Sequence, residues 1–160
     1  MALWPKFLDW FDIEHYIDNI VATIACKGEK FDTIVCMGRG GMIPSRILAD
    51  ELDVHDIFPI MFRSYTGVGE RGEIECHEFQ YDLSGRKVLL VDDIVDTGNS
   101  IDFVQLKLQQ HITMPWLPFA ALLVKEKVKQ KPDYFGEIID NQEEWIVFPW
   151  EHKEYKREIK

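Results

Sequence analysis

A short apolar run in the middle of the chain, Val88-Leu89-Leu90-Val91, leads directly into two acidic residues, Asp92 and Asp93. An uninterrupted apolar run of this length is typical of a strand buried on both faces, as in a parallel sheet. Residues 31–37 form a similar run that stops at a glycine-rich stretch, and residues 117–124 form a third. These runs favour a fold built around buried parallel strands.

Helical patterns lie before and between these runs. Apolar residues recur mostly three or four apart within residues 10–27, and Gly28 follows, which predicts a helix ending there. Residues 43–52 and 100–110 predict two more helices, while residues 56–65 and, more weakly, 77–81 predict strands. We therefore expect an α/β domain with a mainly parallel, twisted sheet flanked by helices. Ligands bind such sheets beyond the carboxyl ends of the strands, here the loops after Met37 and Val91.

Composition narrows the classes of partner. The 160 residues include 18 Lys and Arg against 28 Asp and Glu, a formal net charge of −10, which argues against a nucleic-acid surface or an anionic membrane. No apolar run approaches the about 20 residues that cross a bilayer, and charged residues and Pro5 interrupt the N-terminal segment, so we expect no signal peptide or membrane anchor. Three cysteines without metal-binding spacing predict reduced thiols, two of them buried, and a cytoplasmic location.

The residues after the central run can bind a phosphorylated sugar. Backbone N–H groups and hydroxyls of a small polar turn can surround a monophosphate at the start of a helix; the turn is Thr97, Gly98, Asn99 and Ser100. The turn lacks the lysine of a Walker A loop. Asp92 and Asp93 suit ribose hydroxyls, reached directly or through Mg²⁺. A cluster of helix-capping acids is the alternative, but three acids, Asp96 included, exceed what a cap needs.

Residues 88–100 resemble the phosphoribosyl pyrophosphate signature of the type I phosphoribosyltransferases. The resemblance implies that Asp92 and Asp93 hold the ribose hydroxyls and organise Mg²⁺. It implies that Asp96 lies beside the purine N7 as a proton acceptor or donor, and that the turn binds the 5′-phosphate through Thr97, Gly98, Asn99 and Ser100.

Two other segments extend the resemblance toward catalysis. The stretch Gly38-Arg39-Gly40-Gly41 offers N–H donors and a guanidinium to an anion, with an ordinary strand–helix turn as the alternative. In the family this loop receives pyrophosphate and often contains a cis peptide, here Gly38–Arg39. Ser64 and Tyr65 resemble a Ser-Tyr pair at the base of a mobile loop that closes over the site; a plain strand-end aromatic is the alternative for Tyr65.

The base-binding end of the resemblance rests on Lys125 and on the last apolar segment. Lys125 corresponds to a lysine that faces the purine O6 in members that use 6-oxopurines, although a solvated lysine is the alternative. The acid-Trp-Ile and Pro-Trp-acid ending of residues 144–151 is similar to that of bacterial and archaeal xanthine-guanine-type enzymes. There Trp145 would stack on the base while the backbone at Trp145 and Ile146 reads its edge; core packing is the alternative.

The resemblance covers residues 31–151 and implies one type I phosphoribosyltransferase-like domain over residues 1–160. Its core spans residues 10–125, a small hood spans 126–151 and a charged tail spans 152–160. The implied activity is Mg²⁺-dependent transfer of 5-phosphoribosyl from phosphoribosyl pyrophosphate to N9 of a 6-oxopurine, as in purine salvage. The implied partners are these two substrates and further copies of the chain, in a homodimer or homotetramer. Two alternatives stay open: a regulator that senses phosphoribosyl pyrophosphate or a nucleotide, and an enzyme for adenine or a pyrimidine.

Overall fold

The computed structural model describes residues 4–64, 74–140 and 144–158. Tyr65 and most of the predicted mobile loop lie outside these residues. The described elements, in chain order, are β1 (Trp4–Phe7), α1 (Trp10–Lys27), β2 (Thr33–Met37), α2 (Met42–Glu51), β3 (Asp56–Ile60), β4 (Phe62–Ser64), β5 (Ile74–Cys76), β6 (Val88–Val95), α3 (Asn99–Leu108), β7 (Phe119–Lys125), β8 (Tyr134–Ile139), β9 (Glu144–Val147), a 3₁₀ turn (Pro149–Glu151) and α4 (His152–Glu158).

Five parallel strands form the main sheet in the order β3-β2-β6-β7-β8. Successive residues of each strand point to opposite faces, so Leu89 packs with α1 and α2 while Leu90 packs with α3 on the other side. Both faces of the sheet are therefore covered, which explains the apolar runs without polar alternation. The predicted α/β fold with a mainly parallel sheet flanked by helices is confirmed.

The strand order reverses direction beside β2. The chain passes from β2 outward to β3 on one side, and then returns to place β6, β7 and β8 on the other. The carboxyl ends of β2 and β6 are therefore adjacent at a topological switch point, where a ligand site is expected.

Two small sheets lie outside the main one. β1 pairs in parallel with β9, with Trp4 opposite Glu144, and β4 pairs antiparallel with β5. The aromatic ring of Phe7 on β1 makes edge contacts with His152 and Tyr155, which ties α4 to the small β1–β9 sheet.

Several local predictions hold and several do not. α1 has the predicted bounds; Asp9 and Asp12 form a capping box at its start, and Gly28 adopts φ 66° after its end. The strand predicted over residues 56–65 is broken at Met61. Residues 77–81 form no strand, and Phe79 and Tyr81 pack on each other there.

The end of the chain also differs from the sequence-based division. Residues 134–139, assigned there to a hood, form the edge strand β8 of the main sheet. The tail predicted as a solvated helix or frayed end contains α4.

The described helices and the cysteines bear on two further predictions. None of the helices in the described ranges has both the length and the apolar character needed to span a bilayer. The three cysteines are unpaired, as expected, but only Cys36 is buried rather than two of them. Burial raises the pKa of the Cys36 thiol to about 11.

We predict that Gly136→Ala destabilises the fold. A Cβ at Gly136 would lie 2.5 Å from the Leu122 carbonyl oxygen and 2.8 Å from Tyr16 Cα, so β8 could not keep its close contact with α1. The free energy of unfolding should fall by about 1–3 kcal/mol, measured by urea denaturation with tryptophan fluorescence. An unchanged midpoint would contradict this packing.

Candidate active site

The acid pair lies within β6 rather than after it. Because β7 continues to pair with β6 through Ile94 and Val95, the strand extends four residues beyond the predicted end at Val91. Asp92 is partly buried opposite Ala121, and Asp93 is only 8% exposed. Two neighbouring carboxylates are thus held rigidly at the carboxyl end of the central strand.

Burial dominates the electrostatics of this pair. It raises the pKa of Asp92 well above the usual carboxyl range, with the adjacent Asp93 adding repulsion, and it raises the pKa of Asp93 as well. The Oδ1 atoms accept hydrogen bonds from the backbone N–H groups of Asp93, at 2.9 Å, and Ile94, at 2.7 Å. Each carboxylate still has acceptor capacity, so a cation beside them would relieve the mutual repulsion.

The glycine turn, Gly38–Gly41, packs directly against the acid pair. A Cβ at Gly40 would overlap the Asp93 carboxyl group, 2.6 Å from its Cγ, and a Cβ at Gly41 would lie 2.5 Å from the Val91 carbonyl oxygen. Gly38 adopts φ 54° and its N–H donates to the Ile60 carbonyl oxygen. The described residues contain no cis peptide bond, so the expected cis bond before Arg39 is absent from this conformation.

The polar turn, Thr97–Ser100, starts α3. Gly98 takes φ 87°, which favours glycine, and its carbonyl oxygen accepts the first helical hydrogen bonds, from the N–H groups of Ile101 and Asp102. The N–H of Asn99 points to Thr97 Oγ1 at 3.4 Å. The polar turn therefore lies at the start of an α-helix, where the N–H groups of the first turn favour an anion.

Asp96 and Lys125 form an ion pair. Lys125 Nζ lies 2.6 Å from Asp96 Oδ1, with the lysine side chain 18% exposed and the aspartate side chain 62% exposed. The contact forms because β6 and β7 are adjacent parallel strands that end at the same edge. Asp96 and Lys125, which the resemblance assigns to the neighbouring purine atoms N7 and O6, are therefore in contact.

Two cavities border the glycine turn. The larger, of about 740 Å³, brings together Gly38, Arg39, Gly40, Asp92 and Asp93. The smaller, of about 270 Å³, is lined by Arg39, Gly40, Trp145, Val147, Trp150, Glu151, Glu154 and Tyr155. The acid pair and Trp145, which the sequence assigns to the sugar and the base, thus both lie near the turn assigned to the pyrophosphate.

The remaining predicted site residues do not line these two cavities or lie outside the described residues. In the described part of the chain, Gly41, Lys125, Ile146 and the segment 96–100 are not among the residues that line these two cavities. Ile146 is partly buried against the core, and Trp145 is 50% exposed. The side chain of Ser64 and all of Tyr65 lie outside the described residues.

Sequence reasoning missed the position of Glu151. It borders both cavities, and its Oε2 accepts a hydrogen bond from the N–H of Phe148 at 3.2 Å. Burial raises the pKa of Glu151, and the negative charges of Asp93 and Glu154 add to this effect. The acid after Pro149-Trp150 was visible in the sequence, but no local pattern indicates that it returns to the glycine turn.

Comparison with known families decides the classification. The phosphoribosyl transferase domain family matches residues 5–157. The chain belongs to this family.

Relatives and solved structures of phosphoribosyltransferases are similar along most of the chain. A xanthine-guanine phosphoribosyltransferase from Desulfotalea psychrophila is 35% identical over 121 residues, or 76% of this chain and 71% of that protein. A purine phosphoribosyltransferase from Pyrococcus horikoshii aligns with a TM-score of 0.75 at 29% identity, covering 91% of this chain and 93% of the other. A Helicobacter pylori xanthine-guanine-hypoxanthine phosphoribosyltransferase aligns with a TM-score of 0.76 at 25% identity, covering 97% and 99%.

We predict that Asp93→Asn stabilises this phosphoribosyltransferase at neutral pH. Because the folded pKa of Asp93 is raised, the folded state binds the proton more tightly, and stability falls as pH rises from the ordinary carboxyl pKa to the folded one. The variant lacks this cost of ionisation, so at pH 7.5 it should melt about 2–4 °C higher, as about 1 kcal/mol does in a chain of this size.

Calorimetry at pH 7.5 and pH 4.5 measures this effect, and the gain should shrink at pH 4.5. Asp18→Asn, on the exposed face of α1, is the control for one lost negative charge. A lower melting temperature for Asp93→Asn than for this control would show that the carboxylate stabilises the fold instead.

Proposed function

We propose that the protein transfers 5-phosphoribosyl from phosphoribosyl pyrophosphate to N9 of guanine, xanthine or hypoxanthine, releasing pyrophosphate. The observation that carries this proposal is the Lys125–Asp96 ion pair beside the polar turn. O6 and N7 are adjacent on one edge of a 6-oxopurine, so groups that serve them must also be adjacent. The names of the relatives support the same class of base.

The sugar-phosphate end of the substrate would lie along β6 and α3. The N–H groups and hydroxyls of Thr97, Gly98, Asn99 and Ser100 would bind the 5′-phosphate, with the helix dipole adding to the attraction. Asp92 and Asp93 would accept hydrogen bonds from the ribose hydroxyls. This arrangement would orient C1′ toward the base before reaction.

The acid pair also suits Mg²⁺. Two carboxylates with raised pKa values gain most from a nearby cation, and Mg²⁺ is commonly bound by one or two carboxylates together with substrate oxygens. No cluster of three or more potential ligands is present among the described residues, so Asp92 and Asp93 would share the ion with the substrate. When bound, Mg²⁺ offsets negative charge on the departing pyrophosphate.

The glycine turn would receive that pyrophosphate. Gly40 and Gly41 bring the backbone close to the acid pair, and the Arg39 guanidinium can donate paired hydrogen bonds to phosphate oxygens. As the bond from C1′ to the pyrophosphate oxygen breaks and the bond to N9 forms, these donors stabilise the leaving group.

Lys125 and Asp96 would act at the base. The Lys125 ammonium has three N–H donors, so it can hold Asp96 and still donate to O6. The Asp96 carboxylate would accept the proton that the base loses from N7 while N9 forms its new bond. Trp145, on β9, would stack on the base, with the Ile146 backbone at its edge.

The proposal extends to the setting of the enzyme. Unpaired cysteines support the expected cytoplasmic location, and the acidic net charge supports small-molecule substrates rather than nucleic acid. Assembly into a homodimer or homotetramer remains part of the proposal on the family resemblance alone.

We expect the purified protein to form nucleotides with Mg²⁺ and phosphoribosyl pyrophosphate. Guanine, xanthine, hypoxanthine, adenine and the pyrimidines should be assayed separately by chromatography of the nucleoside monophosphate. Turnover with at least one 6-oxopurine supports the proposal. Turnover only with adenine or a pyrimidine contradicts the base class, and ligand binding without turnover favours a regulator.

We expect Lys125→Gln to relax base selection. A glutamine amide can accept as well as donate, so the variant no longer discriminates against the exocyclic amine of adenine. The ratio of kcat/KM for guanine over adenine should fall at least about tenfold. Lys127→Gln, an exposed lysine two residues later, is the matched control, and an equal ratio in both variants would remove Lys125 from base recognition.

A further inference from the structure

An ion pair connects the glycine turn to the C-terminal helix. Arg39 Nη2 lies 3.3 Å from Glu154 Oε2, and both side chains are largely in solvent, 77% and 50% exposed. Among the described residues that line the two cavities, Arg39 is the one Lys or Arg. The Glu154 carboxylate is therefore paired with the cationic side chain on which the proposed pyrophosphate site depends.

Aromatic contacts of its neighbours on α4 fix the position of Glu154. Its neighbours along α4, His152 and Tyr155, both contact the ring of Phe7, so the helix is tied to the β1–β9 sheet. Glu154 and Tyr155 line the smaller cavity together with Trp145 on β9. This attachment keeps the carboxylate at the edge of the site instead of leaving it on a free tail.

We propose that Glu154 is an internal competitor of the substrate pyrophosphate for Arg39. This inference rests on the proposed function. In the substrate-free enzyme Arg39 is engaged by Glu154, and binding of the diphosphate group exchanges that partner for phosphate oxygens. Glu154 thereby sets the affinity for phosphoribosyl pyrophosphate as a positioning residue that acts through Arg39.

The chemistry of the Arg39–Glu154 ion pair favours replacement of Glu154 by a diphosphate over a role of Glu154 in supporting diphosphate binding. An exposed single-contact ion pair corresponds to only about a two- to fivefold difference in a binding constant, so it can be broken readily. A diphosphate offers several charged oxygens and can accept paired hydrogen bonds from the guanidinium, which one carboxylate oxygen at 3.3 Å does not. Glu154 also adds negative charge beside Glu151 and Asp93, which disfavours an incoming anion.

Calorimetric titration of phosphoribosyl pyrophosphate with Mg²⁺, without any base, tests this inference independently of turnover. Glu154→Gln should bind about two- to fivefold more tightly than the wild type at low ionic strength, and the gain should shrink in 0.5 M salt, on the order of a 4 Å Debye length. Asp50→Asn is the matched control, because Asp50 pairs with Arg46 on the surface of α2 and its loss changes the net charge equally.

Two more measurements separate competition from a structural effect. In an Arg39→Gln background, Glu154→Gln should bring a clearly smaller gain than in the wild type, since only the direct repulsion between Glu154 and the anion is then relieved. In steady-state assays of the Glu154→Gln variant, KM for phosphoribosyl pyrophosphate should fall while KM for the base stays within error.

The outcomes are distinct. Binding by Glu154→Gln that equals Asp50→Asn, is weaker than wild type, or is equally improved without Arg39 overturns the inference while leaving the proposed function intact. A wild-type protein that does not bind phosphoribosyl pyrophosphate overturns both.

Discussion

The contact between the glycine turn and the end of β6 is the constraint on which the site depends. A side chain at Gly41 would lie 2.5 Å from the carbonyl oxygen of Val91 and 2.7 Å from that of Met37, and one at Gly40 would occupy the place of the Asp93 carboxyl group. Because no side chain intervenes, the turn that follows β2 packs directly against the neighbouring strand β6. A group that can donate to phosphate is thereby held against a pair of carboxylates, which is the arrangement that the proposed binding of a magnesium-bound diphosphate needs.

The rest of the site follows from the strand order. Since β2 and β6 are adjacent at the point where the order reverses, their carboxyl ends open into one cavity, and β7 places Lys125 next to Asp96 along the same edge. The β1–β9 pair then brings Trp145, and the following turn brings Glu151, to the other side of Arg39. The ends of β2 and β6 belong to the main sheet, whereas β9 and the turn after it do not. These distant segments converge on Arg39 because of the sheet topology.

The parts of the fold that sequence could predict are those whose signal is local. α1 shows its apolar period, its cap and its terminal glycine within residues 9–28, and β6 and β7 are buried on both faces, so their runs are unmistakable. β1 and β9 pair across about 140 residues, and neither carries a pattern of its own, because their stability comes from each other. The site residues divide in the same way between local and long-range signals. Asp92 to Ser100 form one contiguous motif that the sequence shows. Glu151 and Glu154 lie at the site only because the folded chain brings its C-terminal segment back to the glycine turn.

The charge distribution explains why an acidic protein can bind an acidic substrate. A net charge of −10 describes the whole surface, and the described lining of the two cavities repeats that excess locally, with Asp92, Asp93, Glu151 and Glu154 around Arg39. Attraction by side-chain charge alone would therefore be weak. Binding then depends on backbone N–H groups at the start of α3 and in the glycine turn, which carry no net charge and cannot be neutralised by a neighbouring acid. In the function that we propose, these carboxylates would repel the free substrate and become favourable when a divalent cation accompanies it, so they would select the metal-bound form of the ligand.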